Sequence, residues 1–202
     1  MPRTAHAPIS SADRILLSAL ELFSSKGYDA TSVREICAAA GITKPTLYHF
    51  YKSKEGVYRA LVDGALDDFR RAITRAVQSP GSAALRLQRV ARGYFERARA
   101  RRDLLRFIFG LIHNPASSAP RTDFPRFYDE VVAQIAAEVE AGVARGEFVA
   151  GRTDLRMLML MGALGEALCG YLIVGKPQLS RALADALIDA VVAGWRPPLE
   201  AH

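Results

Sequence analysis

A single glycine, Gly41, separates two short amphipathic stretches in the run TSVREICAAAGITKPTLYHFYKSKE at residues 31–55, and that spacing restricts the fold more than any other feature of the chain. Before it, either Thr31 or Ser32 supplies a helix cap, and Ser32-x-x-Glu35 makes a capping box. Val33, Ile36 and Cys37 then share one face at helical spacing. Ala38, Ala39 and Ala40 keep that helix narrow, so that another can cross it closely. Gly41 stands where the chain must turn sharply, and glycine accepts positive φ there without a Cβ penalty. Ile42 plugs the apolar gap between the helices. Thr43 caps the next helix, and Pro45 fits its first turn, where the missing N–H would be unpaired anyway. Two short helices about such a turn form a helix-turn-helix, which lays the start of its second helix in the DNA major groove.

The remaining periodicity is helical throughout, about nine helices with no convincing strand. Ile15, Leu16, Ala19, Leu20 and Phe23 recur every three or four residues over residues 10–26, and Gly27 ends that helix. A long helix over residues 53–77 carries Val57, Tyr58, Leu61, Val62, Leu66, Phe69 and Ile73. Further helices are expected over residues 86–100, 103–113, 124–145 and 154–174, with a last one capped by Ser180. The fold class is therefore all-α. A three-helix DNA-binding domain at residues 10–56 follows a disordered tail at 1–9. A helical ligand-binding and dimerisation domain occupies 57–198.

With 202 residues, half of them apolar, the chain has ample core material and is no disordered polymer. Its net charge of +6 favours an acidic partner such as nucleic acid, and equally fits an arginine-rich soluble surface. Arg97, Arg99, Arg101 and Arg102 crowd one helix end, where the helix dipole favours them without any ligand. Cys37 and Cys169 sit in apolar helical patterns and read as core residues of a reducing compartment. The stretch 157–175 is apolar enough for a membrane span. Its interior Glu166 and its glycines point instead to a packing helix buried on several sides, so the protein is expected in the cytoplasm without a membrane partner.

Residues 10–66 resemble the N-terminal domain of the TetR family of bacterial transcriptional regulators. The resemblance rests on KGYDATSV, then REIxxxAGIT, then PTLYHFYKSKEG leading into a long helix. It implies that Thr43, Lys44, Pro45 and Thr46 open the recognition helix against base edges and flanking phosphates. Tyr48 and His49 lie one turn on, against the sugar-phosphate backbone. Lys54 matches the family's phosphate-contacting lysine, aided by the helix dipole. Thr31, Ser32 and Arg34 add phosphate contacts from the preceding helix. The chain departs from the family at two places: Phe50 replaces the usual histidine or tyrosine, and Tyr51 the usual phenylalanine.

Beyond residue 66 the resemblance is limited to a helical pattern, and it implies a two-fold dimer and a small-molecule effector. Gly162, Gly165 and Cys169, with Leu183, Leu187, Val191 and Trp195, are expected at an intersubunit four-helix bundle. Gly170 is read with these glycines as allowing close backbone approach. Phe107, Phe109, His113, Phe124, Phe127, Tyr128, Met157, Met161 and Glu166 are the residues expected around a largely apolar effector. Met and aromatic stripes at helical spacing are more often plain core than a pocket lining. Glu166 is the exception, a carboxylate that needs a partner if buried. The function implied is a repressor released from a palindromic operator by its effector. The alternative is a helical adaptor that has lost DNA binding. No GxSxG, HExxH or Walker pattern marks an enzyme, and no cofactor or metal site is expected.

Overall fold

The structure, a computed structural model, describes residues 10–113 and 118–197, without the side chains at 111–113. The tail expected at 1–9 lies outside the described residues. Among the described residues there is no strand, and nine α-helices follow in order. They are α1 (Ser11–Lys26), α2 (Val33–Ala40), α3 (Lys44–Tyr51), α4 (Lys54–Val77), α5 (Ala83–Ala100), α6 (Arg102–His113), α7 (Phe124–Ala144), α8 (Thr153–Val174) and α9 (Arg181–Val192). A 3-10 turn, Ala193–Trp195, continues α9. The periodicity located these helices to within a few residues because caps sit where the sequence offers them: Ser10, Ser82 and Ser180 each accept from a backbone N–H three residues on.

Two compact units emerge, and their division differs from the expected break after residue 56. The first holds the chain through Ala65 together with Asp103–Thr122; the second holds Leu66–Arg102 and the chain from Asp123. The reason is an aromatic nucleus. Phe23 of α1 meets Tyr28 at 5.4 Å and stacks on Phe107 of α6 at 5.7 Å. Tyr58 of α4 stands edge-on to Tyr28 and Phe107 at 5.2 and 6.0 Å. Leu104 and Ile108 bury beside Phe107, and Ser118 donates its N–H and hydroxyl to the Asp29 carboxylate. Burying three large side chains of α6 draws that helix into the first unit. Phe107 is thereby a core residue of the helix-turn-helix unit.

In the second unit α5 packs on α7, α8 and α9, with Leu87, Phe95, Ile135, Val139, Leu160 and Ile188 buried. The last three turns of α4 are held by Asp68–Arg97, Arg70–Glu130 and Thr74–Gln134. Buried Glu138 of α7 receives Arg86 Nη1 at 3.0 and 3.1 Å and Arg145 Nη2 at 2.8 Å. Arg145 also holds Glu147, which accepts the first-turn N–H of Ala83 in α5.

Several expectations for α8 and α9 change. Trp195 is 5% exposed, edge-on to Phe148 at 5.7 Å with the Arg156 guanidinium over its ring, so it belongs to the chain's own core. A Cβ on Gly170 would lie 2.5 Å from the Lys176 carbonyl oxygen: this glycine admits the α8–α9 loop, not a second helix. Glu166 is exposed, so it carries no burial cost. Nor is α8 buried on all sides. Met157, Leu160, Leu164, Ala167 and Leu172 face inward, while Leu158, Met159, Ile173 and Val174 are 70%, 54%, 67% and 70% exposed. By length and composition α8 is long and apolar enough to cross a membrane, a test that the core helix of a soluble protein also passes.

Candidate nucleic-acid interface

The helix-turn-helix is built by short-range chemistry. Ser32 Oγ accepts from Glu35 N at 3.3 Å and Glu35 Oε2 accepts from Ser32 N at 2.9 Å, so Ser32, not Thr31, caps α2. Gly41 adopts φ 61° and ψ 43°, the left-handed conformation that a Cβ disfavours; its N–H donates to the Ala38 carbonyl and the Ile42 N–H to that of Cys37. Thr43 caps α3, accepting from Thr46 N at 3.4 Å. Leu47 is fully buried and turns the opposite face of α3 outward. On that face Lys44, Pro45, Tyr48 and His49 are exposed, Thr46 is half-buried, and Thr43, Ser32 and Arg34 are open as well.

Two expected contact residues are placed differently. Thr31 is 1% exposed, and its hydroxyl donates to the Gly27 carbonyl at 2.8 Å, leaving nothing for a phosphate. Lys54 Nζ donates to the carbonyls of Tyr28 and Thr31, each at 2.9 Å, and lies 4.2 Å from the centre of the Tyr28 ring. Two of its three donors are thus spent tying α4 to the α1–α2 loop. Lys54 acts in this geometry as a positioning residue, because carbonyls that end α1 and precede α2 lack helical partners and draw the nearest ammonium.

Sequence reasoning missed two features of α3. The Tyr51 hydroxyl donates to the Ala12 carbonyl of α1 at 3.1 Å, which pins the C-terminal turn of α3 to the first helix. Phe50, beside it, is 45% exposed. A usable signal existed: Phe50 follows Thr43 and Thr46 at i+7 and i+4, on their stripe of the helix.

Glu35 also receives Lys26 Nζ at 2.5 Å, and this bond with those from Ser32 lowers its pKa to about 2. A carboxyl whose pKa is depressed in the folded state stabilises above its unfolded pKa and loses that contribution as pH falls through the folded value. The melting-temperature difference between wild type and Glu35→Gln is therefore expected to be constant above about pH 5 and to shrink from there towards pH 2, as read by circular dichroism.

The residues expected around an effector fall into both units. Phe107 lies in the first. Phe124 and Phe127 lie in the second, 5.8 Å apart, with Phe69 and then Tyr94 continuing the cluster at 6.5 and 5.5 Å. Met157 is buried, Met161 and Phe109 are half-buried, and Tyr128 is 43% exposed. The His113 side chain lies outside the described residues. Gly162 is exposed, while Gly165, Cys169, Leu183, Leu187 and Val191 are half-buried.

A capped α2, a left-handed glycine turn and a solvent-facing α3 define a helix-turn-helix DNA-binding domain. Residues 15–61 match the model of the bacterial regulatory proteins of the tetR family. The chain is 41% identical over 68 residues to the transcriptional repressor KstR2 of Mycolicibacterium smegmatis, covering 34% of this chain and 31% of that protein. It is 40% identical over 57 residues to the negative transcriptional regulator IcaR of Staphylococcus epidermidis, covering 28% and 31%. The chain thus spans about a third of the length of the curated relatives it matches. The fold extends further. The TetR-family regulator PfmR of Thermus thermophilus superposes with a TM-score of 0.73 at 25% identity, over 94% of this chain and all of that one.

Proposed function

We propose that this protein is a cytoplasmic, sequence-specific DNA-binding transcriptional regulator, a homodimeric repressor that a small molecule releases from a palindromic operator. The observation that carries the reading is the exposed polar face of α3, presented by the Gly41 turn within a domain that matches the tetR family model. The sign follows the matched relatives that are named as a repressor and a negative regulator. One head binds DNA weakly, and two in a symmetric dimer read half-sites about 34–36 Å or a multiple apart. The apolar outer face of α8 supports dimerisation, since a monomer rarely leaves so much apolar surface wet. The Phe69, Tyr94, Phe124 and Phe127 cluster supports a largely apolar effector. Because α4 runs unbroken from the reading head into the second unit, an effector that favours one position of α4 must alter DNA affinity by the same coupling factor.

Pull-down of genomic fragments by the purified protein tests the reading. A two-fold symmetric motif is the expected result, and absence of any enriched site at moderate salt would refute it. For the dimer, Leu158→Glu is expected to leave a soluble, helical monomer in sedimentation, because this side chain is 70% exposed in the single chain. A dimer of unchanged affinity would exclude α8 from the interface.

A further inference from the structure

We infer that Phe50 is a specificity-determining residue that reads the 5-methyl group of a thymine, an inference that rests on the DNA-binding reading above. Phe50 shares a stripe of α3 with Thr43 and Thr46, whose hydroxyls lie 2.9 Å apart, and the ring is 45% exposed although it is purely apolar. Its neighbours explain why it stays outside. Leu47 fills the core beneath α3, and Tyr51 takes the adjoining inward position with its hydroxyl on the Ala12 carbonyl. His49 stands edge-on to the Phe50 ring at 5.2 Å and Tyr51 lies tilted at 6.3 Å, so the ring is braced from both sides. A braced phenyl group has no hydrogen bond to offer a phosphate. What it offers DNA is apolar contact, and the major groove holds one apolar feature, the thymine methyl.

The arrangement divides labour between two adjacent rings. Tyr51 spends its hydroxyl inside the protein and ties α3 to α1, and Phe50, the next residue back, keeps its ring 45% exposed. Phe50 is the specificity residue and Tyr51 its positioning residue.

The test selects a bound site from random duplexes and then replaces each thymine of the half-site by uracil, which removes only the methyl. Affinities are measured for wild type, Phe50→Ala and Tyr51→Phe at one salt concentration. Wild type is expected to lose about fourfold at one thymine position per half-site, the value of one buried methyl group. Phe50→Ala should bind thymine and uracil sites alike, with an unchanged slope of log affinity against log salt. Tyr51→Phe should keep its fold by circular dichroism and weaken the discrimination. Selected DNA whose uracil versions bind wild type equally, or penalise Phe50→Ala as much as wild type, overturns the inference alone. Failure of the folded protein to select any DNA overturns the regulator reading and this inference together.

Discussion

Gly56→Ala is expected to destabilise the helix-turn-helix unit by ~3 kcal/mol or more and to abolish specific DNA binding. A Cβ at this position would lie 1.8 Å from the Tyr51 carbonyl oxygen and 2.9 Å from its carbonyl carbon. Those atoms are backbone, so no side chain can rotate away and the α3–α4 connection itself must shift. The connection has little slack. Lys52 is already at φ 64°, the one positive φ outside glycine among the described residues, and Ser53 N donates to Tyr51 O at 2.7 Å. Any relief therefore moves the end of α3, which carries Tyr48, His49 and Phe50. Gly64, one α4 face along, has nothing within 4 Å of a built Cβ, so Gly64→Ala is the control. It should match or exceed wild-type stability, since alanine favours a helix interior over glycine by up to about 1 kcal/mol. Thermal unfolding of both variants decides the matter, and equal melting temperatures would contradict the packing at Gly56.

The second large effect concerns the other unit. Glu138→Ala is expected to cost about 3 kcal/mol in urea unfolding, because it leaves the half-buried Arg86 guanidinium without its carboxylate, with the Ser79 carbonyl as its remaining acceptor. Arg86 is 21% exposed and Glu138 only 8%, whereas Arg145, at 39%, can turn to water. The loss then spreads, since Arg145 orders Glu147 and Glu147 satisfies the first N–H of α5. The surface pair Arg152–Asp154, 72% and 63% exposed, serves for comparison. Breaking it by Arg152→Ala should change stability by less than about 1 kcal/mol. Comparable losses from the two substitutions would show that Glu138 has no special role.

What was legible in the sequence is what neighbours along the chain decide. The capping box at Ser32 and Glu35, the left-handed Gly41 and the Thr43 cap all depend on residues within four positions, and each formed as read. The apolar stripes likewise located α1 and α4. Contacts made across long separations were not legible. Nothing near Phe107 announces that its ring stacks on Phe23, a contact that, with the burial of Leu104 and Ile108, places α6 in the helix-turn-helix unit. Lys54 looked like a phosphate ligand because its position at a helix start suits one. The carbonyls of Tyr28 and Thr31, brought there by the fold, claim it first. The apolar run of α8 predicts burial on several sides, yet Glu166 is exposed, because periodicity cannot say which apolar face a single chain leaves uncovered.

On the proposed DNA-binding reading, α3 and its neighbours grip the DNA backbone as well as the bases. That grip is tested most directly by the salt dependence of affinity for the selected site, followed by fluorescence polarisation. Phosphate contacts release counterions, so log affinity should fall linearly with log salt, losing at least about a hundredfold between about 50 and 200 mM. Lys44→Ala should lower the affinity and flatten that slope by about one unit. An affinity indifferent to salt over this range would exclude phosphate contacts by α3 and its neighbours.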